Sequence, residues 1–149
     1  MSATGRLCTF KLSGLYFGLE VEEVQEVLRF QEMTRVPLAS PEVEGLINLR
    51  GQIVTAIDMR RRMRFEPRPE GTLPMNVVLT PKHGSVSLLV DEIGEVLEVD
   101  EQAFASPPPT LDPALRELIR GVYKLDERLL LVLEANKAVA LREPTESIN

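Results

Sequence analysis

A chain of 149 residues, 44% hydrophobic and 27% charged, can bury one ordinary core, or two very small lobes that share one, so disorder is excluded and disulfide staples are not needed. Its single cysteine, Cys8, cannot form an internal disulfide, which favours a reducing compartment. Residues 1–74 carry ten cationic and ten anionic side chains, so the whole net charge of -6 lies in residues 75–149 and half of the molecule would repel a nucleic-acid backbone.

Residues 1–5 are polar and lack the apolar core of a secretion signal, and the longest uninterrupted apolar run, residues 129–133, is far too short to span a bilayer. The expectation is a cytosolic protein without direct membrane insertion. Residues 7–12 (LCTFKL) alternate, Ser13-Gly14 turns, and residues 15–20 (LYFGLE) return as an opening hairpin, with Cys8 as a small buried strand residue. Residues 21–30 fit a helical face at Val21, Val24, Val27 and Leu28, while their Val and Phe content favours a strand. They are read as a helical turn followed by a strand. Val36-Pro37 and Ser40-Pro41 break the chain, and Ser40 is expected to cap a brief helical turn that begins at Pro41 and is boxed by Glu44. Residues 46–49 and 52–57 are two apolar runs around Arg50-Gly51, a hairpin whose glycine supplies a positive φ. Residues 58–63 predict a short helix, and residues 65–73, with Pro67, Pro69 and Gly71, a surface loop.

In the second half, residues 75–80 and 85–90 flank a turn at 81–84, and residues 93–99 form the next strand. Pro107 to Pro109 stiffen an extended loop. Asp112 is placed to cap a short helix with Pro113 at its first position. Residues 119–125 and 129–133 make a last hairpin around Asp126-Glu127-Arg128, and residues 135–141 have helical propensity. About nine or ten short strands in so small a chain predict an all-β fold with a few short helices, a barrel or sandwich.

Candidate chemistry is sparse. His83 lies in a turn, where it reads as a solvated side chain; a general base there would need a nucleophile or an orienting carboxylate nearby, and no such pattern exists. One His and one Cys make no zinc spacing, and neither GxxxxGK[ST] nor GxGxxG occurs, so no cofactor is expected. Glu22-Glu23, Asp91-Glu92 and Asp100-Glu101 are adjacent pairs that point to opposite faces of a strand and read as solvated edges and turns. Arg60, Arg61, Arg62 and Arg64 form the one basic cluster, suited to a helix end or a protein-docking role rather than to nucleic acid.

Residues 43–62, VEGLINLRGQIVTAIDMRRR, resemble the signature of CheW domains, G-[LVI]-x-N-[LI]-R-G-x-[IV]-[IV]-x-x-[IV]-[DN]-[LM]-R. Phe17 to Val21 and Val24 to Val27 are similar to the first hairpin of that family and the segment after it. Residues 87–91 and 94–96, then 119–122 and 128–133, follow its later strands in order. The likeness runs from residue 6 to 141, so the whole chain reads as one such domain with two sub-barrels. It implies two intertwined five-stranded SH3-like β-barrels that share a core, and a non-enzymatic scaffold joining the cytoplasmic tip of chemoreceptors to the regulatory domain of a CheA-type histidine kinase. It also implies an apolar receptor groove between the barrels, with Val24, Gly45 and Val96 on receptor-coupling surfaces and Arg50 paired with Glu26. Ser87 departs from the glycine that many members carry.

On the residues alone, Gly45 and Gly51 are equally turn glycines and Val24 a core residue. Arg50 at the shoulder of an apolar hairpin is able to fork onto a carboxylate, Glu26 being the candidate. With Leu46, which frames the groove beside Val24 and Val96, these residues form the expected partner-binding set. The runner-up function is a small ligand-sensing regulatory protein with its site at the barrel junction.

Overall fold

The computed structural model describes residues 4–141; residues 1–3, most of the polar start, lie outside them. Ser13 and Gly14 both take positive φ, 51° and 82°, which makes a two-residue turn of the hand that matches strand twist. Strand β1 (Thr4–Leu12) therefore folds straight back on β2 (Leu15–Glu20), setting Phe10 opposite Phe17. Their rings stack 5.7 Å apart. A single 3₁₀ turn, Val21–Glu23, then leads into β3 (Val24–Leu28), the expected turn and strand. The same two-residue device recurs at Arg50 and Gly51, φ 50° and 88°, joining β4 (Val43–Leu49) to β5 (Gln52–Asp58). Helix α1 (Met59–Arg62) follows, capped by Asp58, whose side chain accepts from the backbone N–H groups of Arg60 and Arg61. Strands β6 (Met75–Leu79), β7 (Val86–Val90) and β8 (Glu92–Asp100) precede α2 (Pro113–Arg116), β9 (Ile119–Lys124), β10 (Leu129–Leu133) and α3 (Ala135–Val139).

The strands form two five-stranded sheets, ordered β8-β1-β2-β10-β9 and β3-β6-β7-β5-β4. The second is one continuous stretch of chain inserted between β2 and β8, so the first is assembled from both ends. Its closing contact, β10 on β2, is parallel, as is β5 on β7.

Between the sheets lies one shared core: Phe10, Phe17 and Leu19 of the first sheet meet Ile57, Leu79 and Leu88 of the second, with Met59 and Leu115 from α1 and α2. Each such side chain contributes roughly 1.5–3 kcal/mol by leaving water. Successive residues of a strand point to opposite faces. Leu131 and Leu133 therefore enter the shared core while Leu130 and Val132 enter a smaller cluster with Leu7, Tyr16 and Tyr123. Leu88 and Val90 likewise face the shared core, and Leu89 joins Ile47, Val54 and Ala56. Burial on both faces is why these strands read as unbroken apolar runs rather than alternating ones.

Several expectations are corrected. Ser40 caps no helix; the segment is a turn closed by Val43 N–H donating to the Ser40 carbonyl (2.9 Å), and β4 starts at once. Ladder pairing with β5 satisfies more backbone groups than one isolated helical turn. Asp91 is no solvated edge. Arg60 forks onto it, Nε to Oδ1 at 2.9 Å and Nη2 to Oδ2 at 2.6 Å, and Ser13 N–H donates to Oδ2 at 2.8 Å. Arg60 Nη1 also donates to the Glu66 carbonyl at 2.9 Å. Arg62 donates to the carbonyls of Lys137, Ala138 and Ala140 at the end of α3, and Arg61 to that of Pro41 while pairing with Glu44. The basic cluster thus fastens α1 to its surroundings. The His83 side chain is 2% exposed, with Glu23 3.3 Å from Nε2 and Asn136 Oδ1 3.0 Å from Nδ1. It joins the turn before β7 to the start of β3 and to α3. Cys8 is on a strand as expected but only partly buried. Ser87, fully buried, donates to Asn76 Oδ1 at 2.8 Å, and Asn76 Nδ2 donates to the Arg29 carbonyl at 3.1 Å. The hydroxyl therefore answers a buried amide that a glycine would leave with one acceptor unused.

Candidate protein-docking site

The tip of the β4–β5 hairpin is the point where the signature residues meet. Asn48 Oδ1 accepts from Gly51 N–H at 2.9 Å, which fixes the turn. Arg50 then projects across to β3, where its Nη2 donates to Glu26 Oε2. The Arg50 side chain is 68% exposed and that of Glu26 25%. Beside them a cleft of about 240 Å³ is lined by Gln25, Leu49, Gln52, Val54, Leu79 and Ser85, and Gln52 Nε2 donates to Ser85 Oγ at 3.0 Å across it. Solvent screens a pair this exposed, so it adds about 0–1 kcal/mol to folding. Its geometry is fixed by the hairpin while its charges remain reachable.

The other expected residues are spread over outer strands. Val24 opens β3 and leans on the shared core, half-buried. Gly45 is buried in β4, where the strand bulges against β5. A Cβ there would lie 2.8 Å from the Thr34 carbonyl oxygen and 3.0 Å from Met33 Cβ, so its glycine serves a close approach rather than a turn. Leu46 is its half-buried neighbour, sharing two backbone hydrogen bonds with Thr34, at 2.9 and 2.8 Å. Val96 sits on β8, an outer strand of the first sheet, opposite Cys8 and 53% exposed. The structure joins Glu26 to Arg50 directly and sets Gly45 and Leu46 against residues 33–34. Val24, Leu46 and Val96 lie on the outer strands β3, β4 and β8.

Among the described residues no group of three or more His, Cys, Asp or Glu side chains is arranged to hold a metal ion. Burial pushes the Cys8 thiol above its ordinary value, and nearby Arg6 offsets this only in part, the opposite of what an activated thiol requires. No helix of the described chain is long and apolar enough to cross a membrane.

Residues 6–143 match the family described as the CheW-like domain. The chain belongs to that family. The chemotaxis protein CheW of Bacillus subtilis is 30% identical over 143 residues, covering 95% of this chain and 90% of its own. CheW of Treponema pallidum is 28% identical, with 93% and 84% covered. The crystal structure of the scaffolding protein TtCheW from Thermoanaerobacter tengcongensis is similar with a TM-score of 0.80 and 25% identity, over 91% of this chain and 88% of that one. The all-β fold of paired five-stranded sheets is thus that of CheW-like proteins, and a ligand-sensing role finds no support among these relatives.

Sequence reading missed two features. The Arg60–Asp91 fork spans 31 positions, and nothing local marks it. The second is Phe104, which packs on Tyr123 with ring centres 5.3 Å apart. With only five Phe, two Tyr and no Trp in the chain, an aromatic in an irregular segment was the available signal.

Proposed function

We propose that this CheW-like chain is a non-enzymatic coupling adaptor: it joins the cytoplasmic tip of chemoreceptors to the regulatory domain of a CheA-type histidine kinase, in the cytoplasm at receptor arrays, and acts throughout as a single domain. The observation that carries the reading is likeness along nearly the whole chain to proteins named for chemotaxis and, in one case, for scaffolding. The site residues add a physical argument. Arg50 and Glu26 contribute little to stability at their exposure, and a guanidinium held at a hairpin tip is positioned to exchange carboxylates with a partner. In this reading Arg50, Gly51 and Glu26 form a polar contact, while Val96, Leu46 and Val24, with Gly45 next to Leu46 on β4, frame the apolar receptor groove.

The test is capture of receptor and kinase by the purified chain and by Val96→Arg. Val96 is 53% exposed, so the charge leaves the fold intact. The expected result is that the parent retains both proteins and the variant keeps the kinase but loses the receptor, about 2 kcal/mol or more of that contact being removed. A folded parent that retains neither protein overturns the proposal.

A further inference from the structure

On the face of the first sheet that points away from the shared core, a cleft of about 260 Å³ has Leu7 and Val132 as apolar lining, Phe104 and Tyr123 as aromatic walls, and Glu20, Glu101 and Arg120 around it. The wall is built into the backbone. Gly121 is buried, and a Cβ there would meet Phe104 Cζ at 2.3 Å and the Ala105 carbonyl oxygen at 2.4 Å, so only glycine lets residues 104–105 lie directly on β9. Reciprocal bonds between Ala105 and Val122, 2.9 and 2.8 Å, clamp the segment there. Phe104 nevertheless keeps 42% of its surface exposed.

Tyr123 is the second observation. It is only 7% exposed and lines the cleft, yet its hydroxyl has no hydrogen-bond partner among the described residues. The hydroxyl oxygen itself reaches solvent in the cleft, so an occupant that covers it must offer a polar group in place of water. The charges around that hydroxyl are Glu101, Glu20 and Asp100 against Arg120. Burial first, and then Glu101 and Glu20, push its pKa up, with Arg120 opposing. Arg120 is already engaged by Glu20 at 3.0 Å and Glu134 at 3.3 Å, whereas Glu101 has no cationic partner among the described residues. The adjoining surface, which shares Leu7, Glu20, Glu101 and Tyr123, adds Glu22 and Glu23 against Arg6 and Lys82, so acids outnumber bases throughout. An anion would be repelled, and an apolar plug would leave the phenol unanswered. An aliphatic stem ending in a planar cation meets every demand, since guanidinium stacks on aromatic faces and forks onto carboxylates.

We propose that this cleft is a binding site for an arginine side chain presented by a protein partner, its stem against Phe104 and Tyr123 and its guanidinium on Glu101. The inference does not depend on which proteins the adaptor couples.

The test uses the full chain labelled for NMR, titrated with N-acetyl-arginine amide, with the neutral isostere N-acetyl-citrulline amide and with free L-arginine. The capped arginine is expected to give saturable shifts at Leu7, Phe104, Tyr123 and Val132. The citrulline compound should bind about tenfold more weakly or worse, as should the capped arginine on Glu101→Gln, a surface change whose fold is checked by an unchanged melt. Absence of saturable shifts, equal response to citrulline, an unaffected Glu101→Gln variant, or free L-arginine binding about tenfold tighter than the capped form, which would mark a metabolite site, each overturns the proposal.

Discussion

Replacing Asp91 with asparagine tests whether the fork from Arg60 holds the two sheets in register. The carboxylate takes two guanidinium bonds, at 2.9 and 2.6 Å, and a third from the backbone of the β1–β2 turn at 2.8 Å. The side chains are 11% and 19% exposed. An exposed pair contributes about 0–1 kcal/mol, while stranding one partner of a fully buried pair costs about 3–5 kcal/mol. The residual exposure puts this site between those limits, at about 2–3 kcal/mol, because asparagine keeps one acceptor and turns an N–H₂ toward Arg60 donors. For a chain of this size that lowers Tm by about 5–10 °C. The pH dependence provides an internal check. Burial alone would raise the Asp91 pKa, but the Arg60 and Ser13 hydrogen bonds and the charges of Arg60 and Arg68 outweigh it and hold the carboxyl below its ordinary range. A carboxylate depressed in the folded state stabilises fully above its unfolded pKa of about 3.9, and that stability is lost as pH falls through the folded value. Calorimetric melts of parent and variant should therefore differ most near neutral pH and converge in strong acid. A neutral-pH Tm within about 2 °C of the parent, or a gap that persists unchanged in strong acid, refutes the reasoning.

Reversing Glu26→Arg should weaken coupling to kinase or receptor, and adding Arg50→Glu should restore part of it; strictly additive losses in that binding cycle would mean that the pair has no role in docking. Gly45→Ala should destabilise by about 1–3 kcal/mol in urea unfolding, because the new Cβ lies 2.8 Å from the Thr34 carbonyl oxygen; a loss below about 0.5 kcal/mol would show that residues 33–34 move aside freely. Leu38 is 88% exposed with φ 66°, in a turn that suits asparagine or glycine, so Leu38→Asn should raise stability by about 0.5–1 kcal/mol. Destabilisation in the same urea assay would mean that Leu38 packs against the protein in solution.

The strands, both two-residue hairpin turns and the Asp112 cap were legible from sequence because each depends on residues within a few positions: Ser13-Gly14 and Arg50-Gly51 supply the positive φ, and an aspartate reaches an N–H group two residues ahead. The signature at residues 43–62 marked the Arg50 hairpin, and the resemblance implied its pairing with Glu26, which the structure shows as a direct contact. What sequence could not reveal was which charges are consumed internally. The basic run at 60–64 reads equally as a helix end or a docking patch until tertiary packing brings Asp91, Glu44 and the end of α3 beside it. His83 reads as solvated until Glu23 and Asn136 close over it. The same holds for Gly45 and Gly121, whose reason for being glycine is a backbone passing overhead from another segment. Backbone propensity and capping are local and short-ranged, so the sequence alone determines them. Burial, ion pairing and close approach join residues tens of positions apart, and only the packing of the two sheets on their shared core decides those partners.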